Sequence, residues 1–359
     1  MASLEKGDHL KIIEWRPICF DEAAFENLSA AYAKRLHLFT LALLLPILAL
    51  GLLSSDWPIA WQILPFYLSL FILGMPHGGA DHLLLWGIFK KSSVLIQFAS
   101  IIAYISIALL YLIFWHYIPI FSTIFFITMT IFHWGQGDRF ISIKLHRSNY
   151  LTRSKAASFT HILVRGSIPV LLPGFRGNET YHSFLETIVR EGGGFQLELN
   201  WIKENQFLFL LVPILLSLLY FALCFCKIIR GEDKAILTDF IETFALSLWF
   251  ILIPPIWALG CYFLFWHSLR HFLRILWTDS CGRNYLKNGR YVKAKVRWFQ
   301  ITGLMTIIAL IGLWYILSVP YNFNGIQLEW LGKVMIGISI LTLPHTLVVC
   351  LMDKIQLRN

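Results

Sequence analysis

Apolar residues fall along this chain in long blocks parted by short polar and basic segments, without the strict alternation of half-buried strands. A helix needs about 20 mostly apolar residues to cross a ~30 Å hydrocarbon core. Blocks that reach or approach this length lie at about 37–53, 58–76, 93–115, 119–137, 157–173, 206–227, 238–253, 255–276, 299–319 and 331–351. The pattern predicts an all-α fold, a polytopic transmembrane helix bundle of about ten spans. Residues 1–36 form a polar N-terminal tail, and its stretch from Asp21 to Arg35 has a weakly amphipathic pattern suited to an interfacial helix. Residues 37–353 form the transmembrane domain, and 354–359 a short C-terminal tail.

The fifth block is the weakest, because His161 and Arg165 interrupt it and Pro169 and Pro173 shorten it. An arginine inside a span has to face the bundle interior. Pro254-Pro255 separates the seventh and eighth blocks, which suggests a tight helical hairpin. The one long outer loop, Gly174 to Asn205, holds a Gly192-Gly193-Gly194 hinge and a short helix from about Thr180 to Arg190.

Composition agrees with a membrane protein. The 359 residues are 57% hydrophobic and only 14% charged, against about 25% charged in soluble domains. The net charge of +9 sits in short loops and forms no continuous stripe, so no nucleic-acid partner is indicated. Lys and Arg concentrate in cytoplasmic loops. With the N-terminus inside, Lys90, Lys91, Arg139, Lys144, Arg147, Lys227, Lys234, Arg283 and Arg290 fall on one side with both termini, while the other side holds Arg176, Arg190 and Lys203, with Lys333 at a span end. This asymmetry predicts cytoplasmic termini in a multi-pass protein of a cell membrane, of the bacterial inner-membrane kind. The six cysteines include no CxxC pair, so neither a disulfide framework nor a zinc knuckle is indicated.

Within the apolar blocks, histidines recur at one depth. His267 and His271 are four residues apart, which places both rings on one helix face, able to share one metal ion. Two packed histidines bonded to neighbouring carbonyls are the plainer alternative. His77 ends the second block, His133 the fourth, and His345 lies within the tenth. In this topology they reach a similar cytoplasmic depth, where a bundle can gather their rings. Neutral imidazoles suit iron, copper, zinc or nickel, and oxygen chemistry would select iron. Asp81 and Asp138 follow histidines by four or five residues and are placed to orient ligand rings from behind, although each is also an ordinary loop-initiating aspartate. His345 reads as an outer partner or a core histidine, and His82 as a metal ligand or, more simply, an interfacial neighbour of Asp81. Trp134, Tyr262, Phe263 and Trp266 lie beside these motifs and could wall in a long apolar polyene, though aromatic residues are also common bundle filling.

Pro76-His77-Gly78-Gly79-Ala80-Asp81, Phe132-His133-Trp134-Gly135 with Asp138, and Trp266-His267-Ser268-Leu269-Arg270-His271 together resemble the Brp/Blh family of membrane β-carotene 15,15'-dioxygenases, over about residues 70 to 350. The Gly78-Gly79 pair differs slightly from the family's PHGA-D pattern. The resemblance implies cleavage of the central double bond of β-carotene by O2 to give two molecules of retinal. It also implies Fe(2+) held by His77, His133, His267 and His271, acting as a dioxygenase within membrane lipid. Oligomeric state is not legible.

Two rival readings remain. A diiron lipid desaturase or hydroxylase would carry several histidine boxes, and here one HxxxH stands without an adjacent His-His pair. A non-enzymatic carotenoid or retinal carrier is the other, but no internal repeat symmetry supports a transporter.

Overall fold

The computed structural model describes residues 20–26, 28–176, 178–191, 204–229, 235–318 and 329–357. Among the described residues all regular structure is helical, and the one extended pairing is an isolated bridge between Phe20 and Asp279. The helical rods are α1 (Ala30–Leu53), α2 (Ile59–Ile88), α3 (Val94–Tyr117), α4 (Pro119–Lys144), α5 (Lys155–Arg176) and α6 (Asn178–Glu191). They continue with α7 (Gln206–Ile229), α8 (Ala235–Leu252), α9 (255–278), α10 (Tyr291–Ser318) and α11 (Glu329–Gln356).

Seven of these, α2, α3, α5, α7, α8, α10 and α11, contain a helix long and apolar enough to cross a membrane. α4 and α9 fall outside that set, because their second halves carry His133, Gln136 and Asp138, and His267, Arg270, His271 and Arg274. The polarity is inverted relative to a soluble protein. Leu95, Ile102, Leu218, Ile241 and Ile307 are exposed, whereas Asp138, Arg165, Asp239 and Glu242 are buried. Contiguous exposed apolar surface of this kind needs a lipid neighbour.

Two boundaries differ from the sequence expectation. α2 does not stop at residue 76 but runs on to Ile88, so the Pro76 to His82 motif lies inside the rod. Leu83, Leu84 and Leu85 carry the apolar run past the two glycines, and Gly79 keeps a helical φ of −62°. The glycines permit approach instead of a turn: a Cβ on Gly79 would lie 2.7 Å from the carbonyl oxygen of Thr302 on α10. The expected interfacial helix over 21–35 is also divided. Residues 22–26 make turns, Asp21 Oδ1 accepts from the Ala23 N–H at 3.0 Å, and Ser29 then caps α1 by accepting from Tyr32 N–H at 3.2 Å. This N-terminal stretch is tied down by Arg283, which bonds Asp21 at 2.5 Å, and by Trp277, which donates to the Ala24 carbonyl at 2.8 Å.

The short helix expected in the long loop is α6, and it packs on α11. The Gly192-Gly193-Gly194 hinge lies outside the described residues. α5, which looked weakest as a span, is the hub of the bundle and packs against α4, α7 and α8. Its arginine is tolerated because it is wholly buried among carboxylates.

Two rods widen locally into underwound π turns, Leu70–Gly74 in α2 and Tyr262–Ser268 in α9. Such turns insert a residue into the helical ladder and shift the side chains beyond it. The first lies three residues before His77, and the second contains His267.

Candidate metal centre

Four rods, α2, α4, α9 and α11, deliver five buried imidazoles to one place. The His77 ring centroid lies 5.5 Å from His267, 5.3 Å from His271 and 4.9 Å from His345. His133 lies 5.0 Å from His267 and 4.9 Å from His345, and His271 lies 5.2 Å from His345. One possible ligand atom from each of His77, His133 and His345 falls within 4.8 Å of the others.

Hydrogen bonding separates the ring nitrogens into two kinds. A carbonyl can only accept, so His77 Nδ1 donates to the Leu73 carbonyl at 3.1 Å, and a neutral ring then has its lone pair on Nε2. In contrast, His133 Nδ1, His267 Nε2, His271 Nε2 and His345 Nε2 are buried with no hydrogen-bond partner. Leaving each such group unsatisfied costs about 1–3 kcal/mol. Four in one cluster fit a metal, whose coordination would take up lone pairs that nothing else satisfies. The residues present therefore suit the iron that the sequence resemblance implies.

The aspartates have partners other than those expected of them. Asp81 accepts from Tyr104 Oη at 3.0 Å and from Nδ1 of His345 at 2.8 Å, so it stands behind His345 and not behind His77. Asp138 accepts from Arg165 Nε at 2.8 Å, Arg270 Nη1 at 3.1 Å and Trp266 Nε1 at 3.0 Å. Glu242 accepts from the same two arginines, at 2.5 Å and 2.8 Å. Two carboxylates and two guanidiniums thus alternate in a closed ring, with the Arg270 guanidinium 3.6 Å above the Trp266 ring. Beside it, Asp239 accepts from Ser142 at 2.7 Å and from both Tyr150 and Tyr220. The ring joins α4, α5, α8 and α9 one helical turn from His133 and His267. Asp239 and Glu242 were not singled out from the sequence, although two acids three residues apart inside an apolar block were a usable signal.

A second buried network lies on the other side. Gln136 and Arg274 each sit three residues beyond a site histidine and both reach Asp353 on α11, at 3.0 Å and 2.7 Å. It holds α4 and α9 against the helix that carries His345.

His77, His133, His267 and His345 close one end of an apolar cavity of about 180 Å³, lined by residues of α2, α3, α4, α5, α6, α9 and α11. Its wall on α11 runs from Leu331 to His345, roughly 21 Å at 1.5 Å rise per residue. Trp134 and Phe263 line it, whereas Tyr262 and Trp266 do not. Phe263 and His267 share one face of the π turn, stacked 5.9 Å apart, and the neighbouring face points Tyr262 toward Phe250 and Trp266 into the charge ring. His82 turns to the Gly79 carbonyl at 3.0 Å.

An all-helical bundle with lipid-suited outer faces and a buried imidazole cluster beside an apolar cavity defines a helical membrane protein built around a polar centre. The chain belongs to the β-carotene 15,15'-dioxygenase family, whose model matches residues 68–353. It is 28% identical over 303 residues to a probable β-carotene 15,15'-dioxygenase, Blh, of Halobacterium salinarum, covering 81% of this chain and 84% of that protein. It is 23% identical over 314 residues to a β-carotene 15,15'-dioxygenase of uncultured marine bacterium 66A03, covering 84% and 94%. No solved structure matches the chain.

Proposed function

We propose that this protein cleaves the central 15,15' double bond of β-carotene with O2, giving two molecules of retinal. The observation that carries the reading is the set of buried imidazole nitrogens without partners at the end of an apolar cavity. His77, His133, His267 and His271 would hold Fe(2+), which supplies the activation of O2 when bound. The family membership and the two relatives support the substrate.

The chain's own residues do the rest. The cavity is walled by side chains such as Phe126, Trp134 and Phe263, which offer area without hydrogen bonds and suit a conjugated hydrocarbon. They hold the polyene along the bundle with one double bond beside the histidines, and positioning of this kind removes much of the entropic barrier. The same walls keep water from the reacting carbons. Both atoms of O2 leave in the two aldehydes, so the reaction balances without a proton donor, and neither Asp81 nor Asp138 needs to transfer one. The charge ring of Asp138, Arg165, Glu242 and Arg270 is internally neutral and fixes the backbones of α4 and α9 on which His133 and His267 stand.

The protein works as a multi-pass protein of a cell membrane with about ten spans, both termini and the histidines toward the cytoplasmic side. A lipid-soluble substrate then reaches the site from the bilayer.

Expression in β-carotene-producing cells tests the reading. Loss of colour with accumulation of retinal is expected. Unchanged β-carotene beside correctly inserted protein would oppose it, and binding of carotenoid without aldehyde would favour a carrier.

A further inference from the structure

His345 stands in the cluster as centrally as any of the four histidines named above. Its ring has His77, His133 and His271 within 5.2 Å, and among the described residues no other site imidazole has three neighbours so close. It is buried, and its Nε2 has no hydrogen-bond partner. Its other nitrogen faces both oxygens of Asp81, at 2.8 and 3.0 Å. The carboxylate is itself held on the far side by the Tyr104 hydroxyl, which donates to it at 3.0 Å from the cavity wall.

This arrangement determines the tautomer. An ionised carboxylate only accepts, so Nδ1 of His345 carries the hydrogen and the neutral ring keeps its lone pair on Nε2. A carboxylate behind the imidazole is also what orients a metal-binding histidine and raises its basicity. Were His345 only a packed core residue, the fold would bury a pre-oriented lone pair against other imidazoles with nothing to receive it.

From this geometry we infer that His345 is a fifth imidazole of the centre, binding the metal through Nε2, and that Asp81 is its positioning residue. The inference rests on the metal reading proposed above and extends its ligand set to a fourth rod, α11. Asp81 then serves a histidine 264 residues away in the chain and not the one four residues before it. It also gives the Tyr104 hydroxyl a role, as the group that keeps Asp81 turned toward His345 while the rest of the side chain faces the cavity.

The test uses the full-length protein purified in detergent, loaded with Co(II) as a spectroscopic probe, with affinity measured by chelator competition. In His345→Ala, Co(II) affinity is expected to fall at least about tenfold and the visible absorption bands to shift, with added imidazole restoring the bands. In Asp81→Asn, a fall of about ten- to a hundredfold is expected, and imidazole gives no rescue because the ring is still present. His82→Ala is the control and leaves both readouts unchanged. Wild-type affinity and bands in His345→Ala overturn the inference. Should that variant fail to insert, Asp81→Asn decides alone, since wild-type behaviour there is equally fatal. A wild-type protein that binds no Co(II) or iron overturns the metal reading itself, an outcome separate from wild-type binding that survives loss of His345.

Discussion

Gly135 and Gly166 bring two helices into backbone contact at the level of the site. A Cβ on Gly135 would sit 1.9 Å from the Ile162 carbonyl oxygen, and one on Gly166 would sit 1.8 Å from that of Ile131. Each glycine thus makes room for the other helix's main chain, the close packing that small residues permit in membranes. His133 lies two residues before Gly135, and Arg165 lies next to Gly166, so the contact sets how far the histidine stands from the charge ring.

Gly135→Ala and Gly166→Ala are therefore expected to force α4 and α5 apart. Overpacking of this kind costs about 1–3 kcal/mol or more, because carbonyl backbone cannot move aside as a side chain can. Melting temperature in detergent and bound iron should both fall in each variant. An unchanged melting temperature would show that the helices are not in contact here.

Asp138 is shared by Arg165, Arg270 and Trp266. Asp138→Leu leaves two buried guanidiniums to share the single carboxylate of Glu242 and, with one positive charge uncompensated, is expected to destabilise the protein by about 3–5 kcal/mol. Trp266→Phe removes one neutral donor to the same carboxylate and should cost nearer ~1 kcal/mol, beyond any change in packing. Denaturant unfolding of the two variants side by side checks the ratio. Similar losses would mean that the ring carries little of the stability.

Met335 lines the cavity on α11, well away from the histidines along the helix. Met335→Trp fills space the substrate needs and is expected to lower retinal formation roughly tenfold or more, in line with an overpacking cost above 1 kcal/mol. Bound iron should not change. Full activity would place the polyene elsewhere.

The basic residues at the ends of the predicted spans lead us to expect both termini on the cytoplasmic side. Fluorescent-protein fusions that mature only in the cytoplasm should glow when attached at either end. A dark but stably inserted C-terminal fusion would give an odd number of crossings.

The sequence pattern disclosed most of the rods, because a lipid-facing helix leaves a long apolar block whatever its neighbours do. It was least informative where the chain is polar for a reason. α4 and α9 break the apolar pattern with the side chains that build the centre, and α5 breaks it with Arg165, whose cost is met only by carboxylates on α4 and α8. The four histidines of the recognised motifs do converge with one another. His345 could not be told from a core histidine, since its distinguishing partner, Asp81, is remote in sequence. The role of Asp138 was hidden for the same reason, as proximity to His133 in the chain suggested a partner that the helix turns away from it. Trp266 looked like a substrate wall because spacing cannot reveal a π turn, which assigns the adjoining Phe263 to the cavity and Trp266 to the charge ring.

Product stoichiometry in the purified, iron-loaded protein is the most direct measurement. With β-carotene and O2, two molecules of retinal are expected per β-carotene consumed, and none from His133→Ala or His267→Ala that still insert. One retinal with a longer aldehyde, no aldehyde at all, or full turnover in either histidine variant would contradict central cleavage at this cluster.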